Sequence, residues 1–136
     1  MDPSITIKFR TPQEVFHPND RLEVEYYVEA SDLSSLNAME ISLLWYTEGK
    51  GEQDIYVHSF ERRERRNVAN RDLSQVFLFQ CQLPKTPLSY HGTILKIHWC
   101  IRVTTQFKKG KTFYEDRPIL LLPTGKVLKL QQTSHL

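Results

Sequence analysis

The chain has 136 residues, 40% of them hydrophobic and 25% charged, with a formal net charge of +2. That length suits one domain with a real core and argues against two domains, while the composition argues against disorder over most of the chain. So small a charge sets up no global field for nucleic acid or an anionic membrane, and no apolar run approaches the ~20 residues that span a bilayer.

The first ten residues, MDPSITIKFR, lack the basic start and apolar centre of a secretory leader, so a cytoplasmic location is expected. Residues 4–10 alternate Ile5, Ile7 and Phe9 with polar neighbours, a short strand ended by Thr11-Pro12. Val15-Phe16 leads into His17-Pro18-Asn19-Asp20, where Pro fixes one turn dihedral and Asn tolerates the left-handed region. A regular strand follows. Leu22, Val24, Tyr26, Val28 and Ala30 form its apolar face, and Glu23, Glu25 and Glu29 mark the other.

Residues 31–37 read as a polar loop with a turn of helix, leading to a strand at 38–47 in which Met39, Ile41, Leu43 and Trp45 share a face. Residues 48–52 suit a hairpin loop, and 53–60 make the returning strand before the charged run Glu61-Arg62-Arg63-Glu64-Arg65-Arg66. At 76–83, Phe77, Phe79, Cys81 and Leu83 share the buried phase. Pro84, Pro87 and Gly92 mark a connection between pairings, after which Leu95, Ile97, Trp99, Ile101 and Val103 alternate with Lys96, His98, Cys100, Arg102 and Thr104. Lys109-Gly110 supplies a hairpin into 111–122. Residues 124–136 hold no second apolar face and are expected to be a flexible tail to a domain spanning 1–123.

Seven strands at short spacing, without an amphipathic helix or a repeat, predict an all-β fold: two antiparallel sheets packed as an immunoglobulin-like sandwich. Trp45 and Trp99 are the expected centre of its core. Cys81 points inward and Cys100 outward by strand phase, so they are expected to be free thiols.

Two segments carry a resemblance. Val15-Phe16, the turn through Asp20 and the strand to Val28 form the first. The second is Phe79-Gln80-Cys81-Gln82-Leu83-Pro84, then Pro87-Leu88-Ser89-Tyr90-His91-Gly92, then Ile97-His98-Trp99-Cys100-Ile101. Together they resemble the arrestin-like β-sandwich family, although Asn19 stands where that turn usually has Gly. Arrestins have two such domains and a regulatory tail, whereas this chain has room for one, so their phosphate-sensing mechanism does not carry over. The resemblance implies an adaptor, scaffold or assembly subunit that binds protein partners without catalysis.

If the strands of Trp45 and Trp99 pair, their outer phases bring Leu44 and Tyr46 near His98, Cys100 and Arg102. That face is expected to bind a protein partner or a second copy as a homodimer, with Leu44, Tyr46, His98 and Arg102 as contact residues. The alternative is an anion or phospho-ligand module using Arg62, Arg63, Arg65 and Arg66, whose guanidinium forks match phosphate. Against it, Glu61 and Glu64 interrupt the cluster and could pair it internally. Lys108, Lys109 and Lys111 lack interleaved aromatics, so no nucleic-acid surface is expected. His17, His58, His91, His98 and His135 show no metal-ligand spacing, and no cofactor or catalytic motif is present. An enzyme with loop-borne residues is a third reading.

Overall fold

The computed structural model describes residues 2–124, so the expected tail lies outside the described residues but for Thr124. Nine strands follow one another: β1 (Ser4–Phe9), β2 (Val15–Phe16), β3 (Arg21–Glu29), β4 (Leu36–Gly49), β5 (Ile55–Glu64), β6 (Phe77–Gln82), β7 (Tyr90–His91), β8 (Leu95–Phe107) and β9 (Thr112–Leu121). Seven are long and correspond to the expected strands; β2 and β7 have two residues each. The all-β, two-sheet sandwich is the fold that the alternation predicts.

One sheet runs β1-β3-β6, and the other runs β2-β9-β8-β4-β5 with β7 on β8 past the end of β9. Both inner faces of the one core come from the predicted phases. On β3 the side chains of Leu22, Val24, Tyr26 and Val28 are buried, and across the sandwich they meet the phase of Met39, Ile41, Leu43, Trp99, Ile101 and Val103. Period two decides this arrangement, since every second residue must leave water on the same side.

The turn before β3 uses Asn19 at φ 69°, the left-handed conformation that Asn tolerates. Asp20 closes it, its carboxylate accepting the His17 N–H at 2.9 Å. The His17 ring reaches the far end of the chain, where Nδ1 donates toward the carbonyls of Leu122 and Pro123 at 3.2 and 2.9 Å. Next to it, β2 pairs parallel with the end of β9, Val15 with Leu120 and Phe16 with Leu121, an exception to the all-antiparallel expectation.

Two further details differ from the sequence reading. Trp99 is buried, but Trp45, opposite it on β4, is only half-buried and stacks on Tyr56 at 4.2 Å between centroids. The pair therefore sits toward one end of the core, whose middle is Ile41, Leu43, Ile101 and Val103. The returning strand also continues through Glu64, so most of the charged run belongs to β5. Ladder pairing with β4 extends it: Arg62 lies opposite Glu40 and Glu64 opposite Ala38.

Candidate functional site

The outer face of the larger sheet can be read off its register, because residues opposite each other in a ladder share a side. Across β5, β4, β8 and β9 its successive rows are Ile55-Tyr46-His98, then Val57-Leu44-Cys100-Pro118, then Phe60-Ser42-Arg102-Asp116, then Arg62-Glu40-Thr104-Tyr114. The first two rows, with Phe60 and Ser42, make an apolar half. The rest makes a charged half.

A slip in β5 creates the apolar half. Leu43 faces Ser59, but the next residue, Leu44, faces Val57, so β5 carries one extra residue there. Strict alternation from Phe60 would turn His58 and Tyr56 outward with it. Instead His58 and Ser59 both face inward, His58 lying edge-on to Trp99 and its Nε2 reaching the Gln82 carbonyl at 3.2 Å. Beyond the slip Tyr56 turns in against Trp45, and Ile55 and Val57 turn out. They are 48% and 56% exposed, and Phe60 is 52% exposed.

The four expected contact residues are brought onto this one face, in unequal states. Tyr46 and His98 are half-buried neighbours, with rings 5.0 Å apart and His98 Nε2 3.4 Å from Glu48. Leu44 is only 2% exposed and Cys100 3%, which corrects the expectation that Leu44 offers itself to a partner. Both form the floor of the face, flanked by taller side chains in the adjoining rows. Arg102 is engaged: its Nε and an Nη bind both Asp116 oxygens at 2.7 and 3.0 Å, and its guanidinium lies over the Tyr114 ring. Such a bidentate pair fixes the side chain and holds its pKa above the usual arginine value.

Where β7 takes over from β9 beside β8, a cleft of about 250 Å³ opens, bordered by Tyr46, His91, His98, Cys100 and Leu120. It contains no activated nucleophile. Burial pushes the Cys100 thiol up to about 12, and Ser89 Oγ accepts the Leu121 N–H at 2.9 Å. Among the described residues no three His, Cys, Asp or Glu side chains converge as a metal site, and no helix is long and apolar enough to cross a membrane.

The arginine cluster is drawn into internal contacts. Arg62 bridges Glu40 and Glu64 at 3.1 and 2.9 Å, and Arg66 binds Glu64 at 2.8 Å, so two guanidinium groups hold the Glu64 carboxyl below the usual range. Arg63 faces inward, near Glu61 and over the Phe77 ring. Arg65 donates to the backbone carbonyls of Leu36 at 2.9 Å, Arg71 at 3.0 Å and Leu33. Arg62, Arg65 and Arg66 border one cleft together with Glu64 and Arg71, while Arg63 points away from it, and the arginines of the cleft are already engaged by carboxylates and backbone carbonyls.

Sequence reasoning missed Ile55, Val57 and Phe60. Their apolar character was visible, but the slip that puts all three on one side leaves no mark in the periodicity.

No family model matches the chain, and no curated protein matches it. Among solved structures it is similar to the crystal structure of Spo0M, a sporulation control protein from Bacillus subtilis, at a TM-score of 0.60 and 9% identity. The likeness covers 96% of this chain and 55% of that one, so the chain spans little more than half the structure it matches. At that identity the likeness is one of fold, and the fold is an arrestin-like β-sandwich.

Proposed function

We propose that the chain is a non-enzymatic interaction module that binds a protein partner through the apolar half of the outer face, as an adaptor or assembly subunit does. One observation carries this reading: Ile55, Val57, Tyr46 and Phe60 stand together above an apolar floor, with no Asp, Glu, Lys or Arg in the first two rows. At ~4.8 Å between strands and ~6.6 Å between rows, the positions of this half cover roughly 300 Å². That is the size of the largest apolar patch on a typical monomer, a patch that is often functional. Tyr46 supplies an aromatic ring with a polar tip, a residue type enriched at binding hot spots, and the engaged Arg102–Asp116 pair forms a polar rim.

The anion-binding reading is weaker because Arg62, Arg63, Arg65 and Arg66 are committed to carboxylates, a ring and backbone carbonyls. A phosphate would have to displace those partners.

The test is retention of proteins from native lysate by the wild-type chain and by the Tyr46→Asp, Val57→Asp variant, both positions being on the surface. Partners held by the wild type and lost by the folded variant are the expected result. An identical set on both would overturn the reading, as would retention that vanishes above ~0.3 M salt, since apolar contact survives screening and phosphate contact does not.

A further inference from the structure

We propose that a second copy of this chain pairs antiparallel with the free edge of β5, about a two-fold axis between His58 and Ser59. The proposal concerns the edge of β5, not the face beside it, and it stands apart from the reading above.

β5 ends its sheet, pairing with β4 on one side and, among the described residues, with no strand on the other. None of its ten residues is buried. An edge of that length invites pairing unless charge or irregularity guards it. Charge guards only the part from Glu61 onward; residues 55–60 carry none beyond a histidine.

What remains there is the extra residue, and it selects the partner. His58 and Ser59 both face inward, so a regular strand laid along β5 keeps side-chain phase with 55–57 or with 59–64, never with both. A matching strand needs its own extra residue at the same place. A second copy has it.

With the axis between His58 and Ser59, His58 faces Ser59 of the second copy, and Val57 faces Phe60. Tyr56 faces Glu61, and Ile55 faces Arg62. Every such pair lies on one side of the sheet: Val57, Phe60, Ile55 and Arg62 outward, and the others inward. Moving the axis by half a residue or one residue either way sets His58 or Ser59 against an outward side chain. The match is therefore specific to this register among two-fold arrangements, and the contact is isologous, as closed dimers require.

Charge agrees with phase. The approach to β5 carries Glu52 and Asp54, while its far end holds Arg62 and Arg63 beside Glu61 and Glu64, with Arg65 and Arg66 just beyond. Antiparallel pairing places Asp54 opposite Arg63 of the second copy and Glu64 opposite Gln53, and no like charges face each other. The apolar centre is Val57 against Phe60, formed twice.

Sedimentation of the whole chain over about 5 μM to 1 mM is expected to show a reversible monomer–dimer equilibrium. Asp54→Arg should weaken it by roughly fivefold at low salt, and less so in 0.5 M salt. Register is read by cross-linking, because opposed Cα atoms in a ladder, ~4.5–5.5 Å apart, lie within disulfide reach. Oxidising a mixture of Val57→Cys and Phe60→Cys chains should join one of each, with either variant alone cross-linking far less. A chain monomeric throughout would overturn the proposal, as would equal cross-linking of either variant with itself. Tyr46→Asp distinguishes edge from face: the dimer should survive it, and a dimer abolished by it would mean that the copies meet through their faces instead.

Discussion

The two halves of the outer face share strands, twist and solvent, yet they are protected differently. In the charged half, ion pairs fill the surface: Arg62 spans Glu40 and Glu64, and Arg102 is locked to Asp116. The apolar half has a dry floor of Leu44 and Cys100 under half-exposed Ile55, Val57 and Phe60. One extra residue in β5, between Val57 and Phe60, puts Ile55, Val57 and Phe60 on the same side. A sheet can thus be made sociable over half its face without changing its composition, by shifting the phase of one edge strand.

The sharpest break in that comparison is Leu44→Asp. A carboxylate buried in the floor without a partner should cost on the order of 4 kcal/mol, whereas Tyr46→Asp, one residue along, should cost about 1 kcal/mol or less. Urea midpoints at pH 7 measure both, and similar values for the two would mean that the apolar half has no floor.

A smaller effect comes from pH. Burial raises the Cys100 thiol from its ordinary 9.0 to about 12 and that of Cys81 to about 11. A pKa raised in the folded state gives stability that is complete below the unfolded value and is lost as pH rises toward the folded one. Stability should therefore fall between about pH 9 and pH 12, by on the order of 3 kcal/mol for Cys100. Cys100→Ala should flatten that decline, comparing denaturation midpoints at pH 8 and 10.5; an unchanged decline would place its cause outside the floor.

In the charged half the contrast is between neighbours. Arg65→Ala strands three backbone carbonyls and should cost about 1–3 kcal/mol, while Arg66→Ala removes one exposed pair and should change stability by less than about 0.5 kcal/mol. Thermal unfolding of the two variants decides it. Equal losses would show that Arg65 is held by charge alone.

Much of the fold was legible because burial has a period. The phases of β3, β6 and β8 were readable residue by residue, and pairing the strands of Trp45 and Trp99 was enough to bring Leu44 and Tyr46 near His98, Cys100 and Arg102. The face was legible in outline, with Tyr46, His98 and Arg102 brought together. The depth of Leu44 was not, since period two tells which side a residue takes and not how tall its neighbours stand. Nor was the phase of Ile55 and Val57, because a bulge is a relation between two strands, and one strand's sequence does not contain it. Arg65 was read as charge, yet it serves as a donor to the backbone of Leu33, Leu36 and Arg71.

The clamp between His17 and the carbonyls of Leu122 and Pro123, beside the parallel pairing of β2 with β9, bears on how the chain comes together in time. It closes a loop of about a hundred residues, one of the longest closures in the fold, and it cannot form until β9 has been synthesised. A chain growing from its N-terminus must therefore hold Val15 and Phe16 unpaired until Leu120 and Leu121 have been made. The larger sheet is accordingly completed only when β9 docks, and the rate of that last step should follow β9 rather than the early hairpin of β4 and β5.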